Sequence, residues 1–146
     1  MKKRSDSILI GCTNLILPIL TTLGLYIVIH GHLSPGGGFQ GGVLLGGAFV
    51  VIFIGYGNKK INKDKNSKIF KILEDIGALG FIILAFIGLL SGKEFFTNTF
   101  NKGTLGEVFS SGSIFLMNFS VGFKVFAGIA FLIMILLINL KKGAED

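Results

Sequence analysis

The chain has 146 residues; 51% are hydrophobic, 22 are glycine and only 15% are charged. Mean hydropathy is +0.75 and the formal net charge is +6. A water-soluble domain of this size has too little interior to hide so much apolar surface, which excludes a soluble enzyme, a nucleic-acid-binding module and a disordered chain and leaves an integral membrane protein. One cysteine, Cys12, excludes a disulfide framework and a multi-cysteine metal site.

From Ser7 to Asn58 no residue is charged. As one helix this stretch would be roughly 78 Å long, against a hydrocarbon core of about 30 Å. It therefore holds two spans, about 8–29 and 35–56, joined by the turn His30-Gly31-His32-Leu33-Ser34-Pro35. Ser34 is placed to cap the second span and Pro35 to start it. The glycines that follow would make poor helix in water, but lipid forces the backbone to bond internally. The first span follows Lys2, Lys3 and Arg4 as in a signal peptide, yet it is too long and lacks a small-residue cleavage site, so it reads as retained.

Asn58 to Lys71 reads as a basic loop, with Ser67 capping a third span at about 68–91. Glu74 and Asp75 then fall at or just inside one membrane surface. Lys93 to Gly112 is a mixed loop, and the fourth span runs about 114–140. The expected fold is thus all-α, a single unit over 1–146 with four transmembrane helices. Eleven Lys and Arg lie on the side of the termini and the 58–71 loop, and two, Lys93 and Lys102, on the other. The positive-inside rule puts the termini in the cytoplasm of a multi-pass cell-membrane protein.

Several residues stand out against this apolar background. Gly38, Gly42 and Gly46 form a small-residue ridge, suited to packing against the first span or to docking another subunit. The match of residues 36–41 to a dinucleotide-binding glycine pattern is accidental, because no strand precedes it and no acid follows. Pro18 removes the usual partner of the Asn14 carbonyl, and Asn14 puts an amide inside the membrane; together they could line a cation or water path or simply make a kink. His30 and His32 are too few for a metal site and suit an interfacial or pH-sensing place. Glu74 and Asp75 read as a dipole-favoured pair bridged by Lys71 or as an ion-entry group. Lys124 lies deep in the fourth span, where burial costs ~2.5–3.5 kcal/mol on insertion scales. Its neighbours Ser120, Val121, Ala127 and Gly128 are small, so that face points toward protein. With no obvious partner in its own chain, Lys124 is expected to meet a carboxylate from another subunit and to share in an ion path.

Tyr26 to Gly42, read as Tyr-Ile-Val-Ile-His-Gly-His-Leu-Ser-Pro-Gly-Gly-Gly-Phe-Gln-Gly-Gly, closely resembles the signature of the MnhB-like family, the B subunit of Mrp multisubunit cation/proton antiporters. The hairpin residues that carry it are His32, Pro35, Gly36, Gly37, Gly38, Phe39, Gly41 and Gly42. Asn118-Phe119-Ser120-Val121-Gly122-Phe123-Lys124-Val125 resembles the string Asn-x-x-Val-Gly-Leu-Lys-Val of one branch, with Phe123 in place of Leu. That branch is similar to subunits in antiporter modules of membrane-bound hydrogenases. The resemblance implies a non-catalytic subunit of a complex exchanging Na⁺ for H⁺, partnered by other subunits and the bilayer; no cofactor, metal or nucleic acid is expected. The alternative is the same role in a ferredoxin-dependent, complex-I-like respiratory complex. A stand-alone exporter needs a deep carboxylate, which the first two spans lack.

Overall fold

Lipid offers the backbone no hydrogen-bond partners, so each apolar run closes its bonds on itself as a helix. The computed structural model describes residues 2–33, 35–56, 63–104, 106–107 and 109–142, with side chains over a slightly narrower set. It has four helices: α1 (Lys2–Ile29), α2 (Gly37–Tyr56), α3 (Lys63–Leu90) and α4 (Ser113–Lys142). Each contains a segment long and apolar enough to cross a membrane: Ser7–Ile29, Gly37–Tyr56, Asn66–Leu90 and Ser113–Asn139. There is no strand among the described residues.

Two expected boundaries move. α2 starts at Gly37, two residues after Pro35, because Gly36 and Gly37 take positive φ of 91° and 52° and turn the chain first. α3 starts at Lys63, so Ser67 lies inside the helix rather than capping it, and Lys68 and Lys71 are helical. Lysine is a good helix former, and the helix runs on past its apolar segment. Ser34, Lys59 and Lys60 lie outside the described residues.

The helices pack in the order α1, α2, α4, α3, with α1 only brushing α4. α2 reaches α3 by rings, Phe49 against Phe70 at 5.0 Å. Thr13 faces Gly55 and Gly24 faces Gly41, so α1 and α2 are antiparallel. Gly38, Gly42 and Gly46 meet Asn118, Gly122 with Val125, and Ile129 in turn, so α2 and α4 run parallel. The glycine ridge therefore packs on α4, and neither on the first span nor on an open surface. The other side of α2 uses Gly41 against Val28 of α1. Both close approaches need glycine: a Cβ at Gly42 would lie 2.5 Å from the Gly122 oxygen, and one at Gly46 2.7 Å from Ile129.

The α1–α2 hairpin closes on one side chain from α4. The Gly38 N–H donates to Asn118 Oδ1 at 2.5 Å, and Asn118 Nδ2 donates to the Val28 oxygen at 3.0 Å. Val28 is in the last turn of α1 and Gly38 in the first turn of α2. These are backbone groups that a helix cannot satisfy internally. Side chains at Gly31 and Gly37 would collide with the Asn118 amide, so the signature glycines make its socket.

The 91–112 loop joins the same end. α3 stops in a Schellman turn: Gly92 at φ 69° and Lys93 donate to the Leu89 and Gly88 oxygens. Asn98 then caps α4, its Oδ1 accepting from Ser113 N and Oγ, both at 2.9 Å, while its Nδ2 donates to the Ser111 oxygen at 2.8 Å.

Three substitutions check this packing. Gly42→Leu should reach the membrane but lose about 1–3 kcal/mol of stability by overpacking. Gly47→Leu should be nearly neutral, because a Cβ there meets nothing within 4 Å. Unfolding of the purified chains in detergent compares them; equal stability would remove the ridge from the α2–α4 contact. Asn118→Ala leaves a donor and an acceptor unmatched at helix ends and should cost about 1–3 kcal/mol by the same measurement.

Candidate functional site

The chemistry-bearing groups gather between α3 and α4. These helices are antiparallel and close. A Cβ at Gly77 would sit 3.0 Å from the Lys124 backbone, and Gly80 faces Ser120. A Cβ at Gly128 would sit 3.6 Å from the Glu74 carboxyl carbon. Small residues on both helices thus let a long charged side chain lie along the seam.

Glu74 is the centre of the group. Its Oε1 lies 3.5 Å from Lys124 Nζ and its Oε2 lies 3.4 Å from Lys71 Nζ. Lys71 also reaches Asp75 Oδ1 at 3.3 Å and stands over the Phe131 ring of α4, 5.7 Å from its centroid. The result is a row of alternating sign, Asp75, Lys71, Glu74 and Lys124, with no net charge. Glu74 is mostly covered, its side chain 21% exposed, whereas Lys124 and Lys71 are 46% and 49% exposed and Asp75 58%. The row therefore opens on the flank of the four-helix array.

This geometry corrects two sequence expectations. Lys124 has a carboxylate partner in its own chain. Glu74 and Asp75 are not at an edge while Lys124 lies deep: Glu74 and Lys124 share one depth. Glu74 is eight residues, about 12 Å, from the start of the apolar segment of α3, and Lys124 is eleven residues, about 16 Å, from the start of α4.

The other candidates lie elsewhere. Asn14 accepts a hydrogen bond from the Tyr56 hydroxyl at the far end of α2, and Thr13 Oγ1 donates to the Val51 oxygen at 3.5 Å. With α2 and α4 between α1 and α3, Asn14 does not join the charged row. Phe39 is 59% exposed and fills no gap between helices. Pro35 is exposed in the turn. His32 links the hairpin to the 91–112 loop, its Nε2 3.1 Å from Ser110 Oγ. Asn118 is the residue whose role the sequence did not show. The signal was present, an amide within an apolar span, but nothing local told what it would bond.

Comparison with known proteins now adds to the geometry. The family described as "Domain related to MnhB subunit of Na+/H+ antiporter" matches residues 8–131. An uncharacterized protein of Methanocaldococcus jannaschii is 36% identical over 119 residues, 77% of this chain and 45% of that protein. Antiporter subunit mnhB2 of Staphylococcus aureus is 34% identical over 126 residues, 84% of this chain and 88% of the relative. Among solved structures, a chain of the membrane-bound sulfane sulfur reductase, an archaeal respiratory membrane complex, superposes with a TM-score of 0.72 at 29% identity, covering 89% of this chain and 57% of that one. The chain thus spans about half the length of the archaeal proteins it matches and nearly all of the bacterial one. With four membrane-crossing helices, the signature hairpin closed on Asn118 and a family match over most of its length, this chain is a multi-pass membrane protein that belongs to the MnhB-related family.

Proposed function

We propose that the chain is a non-catalytic subunit of a multisubunit monovalent cation/proton antiporter, with its termini in the cytoplasm of the cell membrane and the Lys71–Glu74–Lys124 row forming part of the ion path. The observation that carries the reading is that row. Four ionisable side chains lie in segments long and apolar enough to cross a membrane, and three of them are about half exposed. Hydrocarbon does not tolerate this, so the row faces a hydrated passage or the polar surface of another subunit. The family and the bacterial antiporter relative support the same reading. The charge asymmetry between the two sides supports the orientation.

The chemistry follows from the sharing of one carboxylate. Glu74 holds two ammonium groups. Adding a proton to Glu74 weakens both contacts, taking one from Lys124 weakens the Lys124 contact alone, and either event changes the charge the row presents. A passing monovalent cation competes with Lys124 for the same Glu74 oxygen. Both events act on one group, which is the requirement for coupling the two ions. A second reading has the subunit serve a respiratory complex that drives the same exchange by redox chemistry, and the respiratory structural neighbour favours it.

Lys124→Met and Glu74→Gln should each assemble with partner subunits and lose at least tenfold in Na⁺-dependent proton flux, measured in vesicles containing the whole complex. Lys124→Arg should also assemble and still lose transport, since arginine keeps its charge but does not release a proton. Wild-type flux in Lys124→Met would make the lysine incidental, and loss of assembly would make the pair structural. The 146-residue chain reconstituted by itself should show no Na⁺-dependent proton flux under an imposed pH gradient; robust flux would overturn the subunit reading.

A further inference from the structure

We propose that His32 is a proton-operated latch between the signature hairpin and the 91–112 loop. This is independent of the charged row, which lies further along α4. His32 Nε2 lies 3.1 Å from Ser110 Oγ and 3.4 Å from the Glu107 backbone oxygen. Ser110 is 1% exposed and its hydroxyl donates to the same Glu107 oxygen at 2.6 Å. A hydroxyl has one proton, so Ser110 Oγ receives its hydrogen bond from His32. Nε2 therefore carries the hydrogen, and Nδ1 is the bare acceptor. That Nδ1 is buried and has no hydrogen-bond partner among the described residues. The ring edge packs on Phe115 of α4 at 5.3 Å.

Closed, the latch holds a neutral imidazole. Protonation adds a charge and a second N–H at a buried position with nothing to accept it, which is costly unless the ring moves out to water. Leaving removes the bond to Ser110, which ties the loop to the hairpin. The open state binds one proton more than the closed state, so closure is favoured at higher pH and weakens as pH falls. Among the described residues no charged side chain forms an ion pair with the ring. His30 is on the same hairpin and its Nδ1 is directed to the Tyr26 oxygen at 3.1 Å, stacked on that ring. The loop presents Glu107 to His32 through its backbone oxygen, while Lys93, Glu94, Lys102 and Glu107 are themselves exposed. α2 has no charged residue, and the nearest described charge on α4 is Lys124, nine residues beyond Phe115, about 13 Å.

The test is amide hydrogen exchange of the full chain in lipid nanodiscs, corrected for the intrinsic effect of pH. It reads the Ser110 and Ser111 amides, which bond to the Glu107 and Lys102 oxygens at 3.1 and 2.9 Å. Protection should fall as pH is lowered, with a limiting slope of about tenfold per pH unit, the dependence one linked proton gives. In His32→Gln the dependence should vanish, while His30→Gln should keep it. A flat wild-type profile, or the wild-type slope in His32→Gln, would overturn the proposal. Should His32→Gln fail to insert, Ser110→Ala decides: low protection at every pH supports the latch, and a retained slope refutes it.

Discussion

The hairpin end of this protein depends on one amide. Asn118 supplies an acceptor to the first turn of α2 and a donor to the last turn of α1, from a position on α4. A helix pair turning at a bilayer surface leaves unsatisfied N–H groups at one end and C=O groups at the other, and both need partners. Here one side chain meets both needs and fixes α4 against the pair. The signature glycines follow from this. Gly31 and Gly37 clear the space for the amide, and Gly38, Gly42 and Gly46 let α2 lie close enough to α4 for the contact to form.

Close packing of α2 on α4 determines where α3 goes. With one face of α4 taken by the glycine ridge, α3 lies on another, along Ser120, Lys124 and Gly128. That places Glu74 beside Lys124 and leaves the remaining charges on an open flank. A membrane protein whose helices were optimised only for lipid would keep such groups inside or omit them. Their exposure is the physical reason for reading the chain as part of a larger assembly.

The 91–112 loop is built to a similar economy. Asn98 caps α4, a Schellman turn ends α3, and His32 joins the loop to the hairpin through the buried Ser110 hydroxyl. Three polar side chains, Asn98, Ser110 and His32, order a segment that otherwise presents exposed rings such as Phe95, Phe100 and Phe109.

What the sequence determined by itself was the class and count of elements. The 52-residue uncharged stretch, the proline-glycine turn and the single deep lysine are one-dimensional signals, and bilayer thickness converts them directly into four spans. Helix starts were less legible: positive φ at Gly36 and Gly37 delays α2, and the apolar boundary of the third span hid the helical turns that precede it. Partnership was decided only by the tertiary structure. Lys124 and Glu74 are fifty residues apart, and their meeting depends on α3 packing antiparallel to α4 at a register set by Gly77, Gly80 and Gly128. Asn118 bonds to groups eighty and ninety residues away. No local pattern encodes such pairs, because the periodicity of a helix tells which residues share a face but not which neighbour that face will meet.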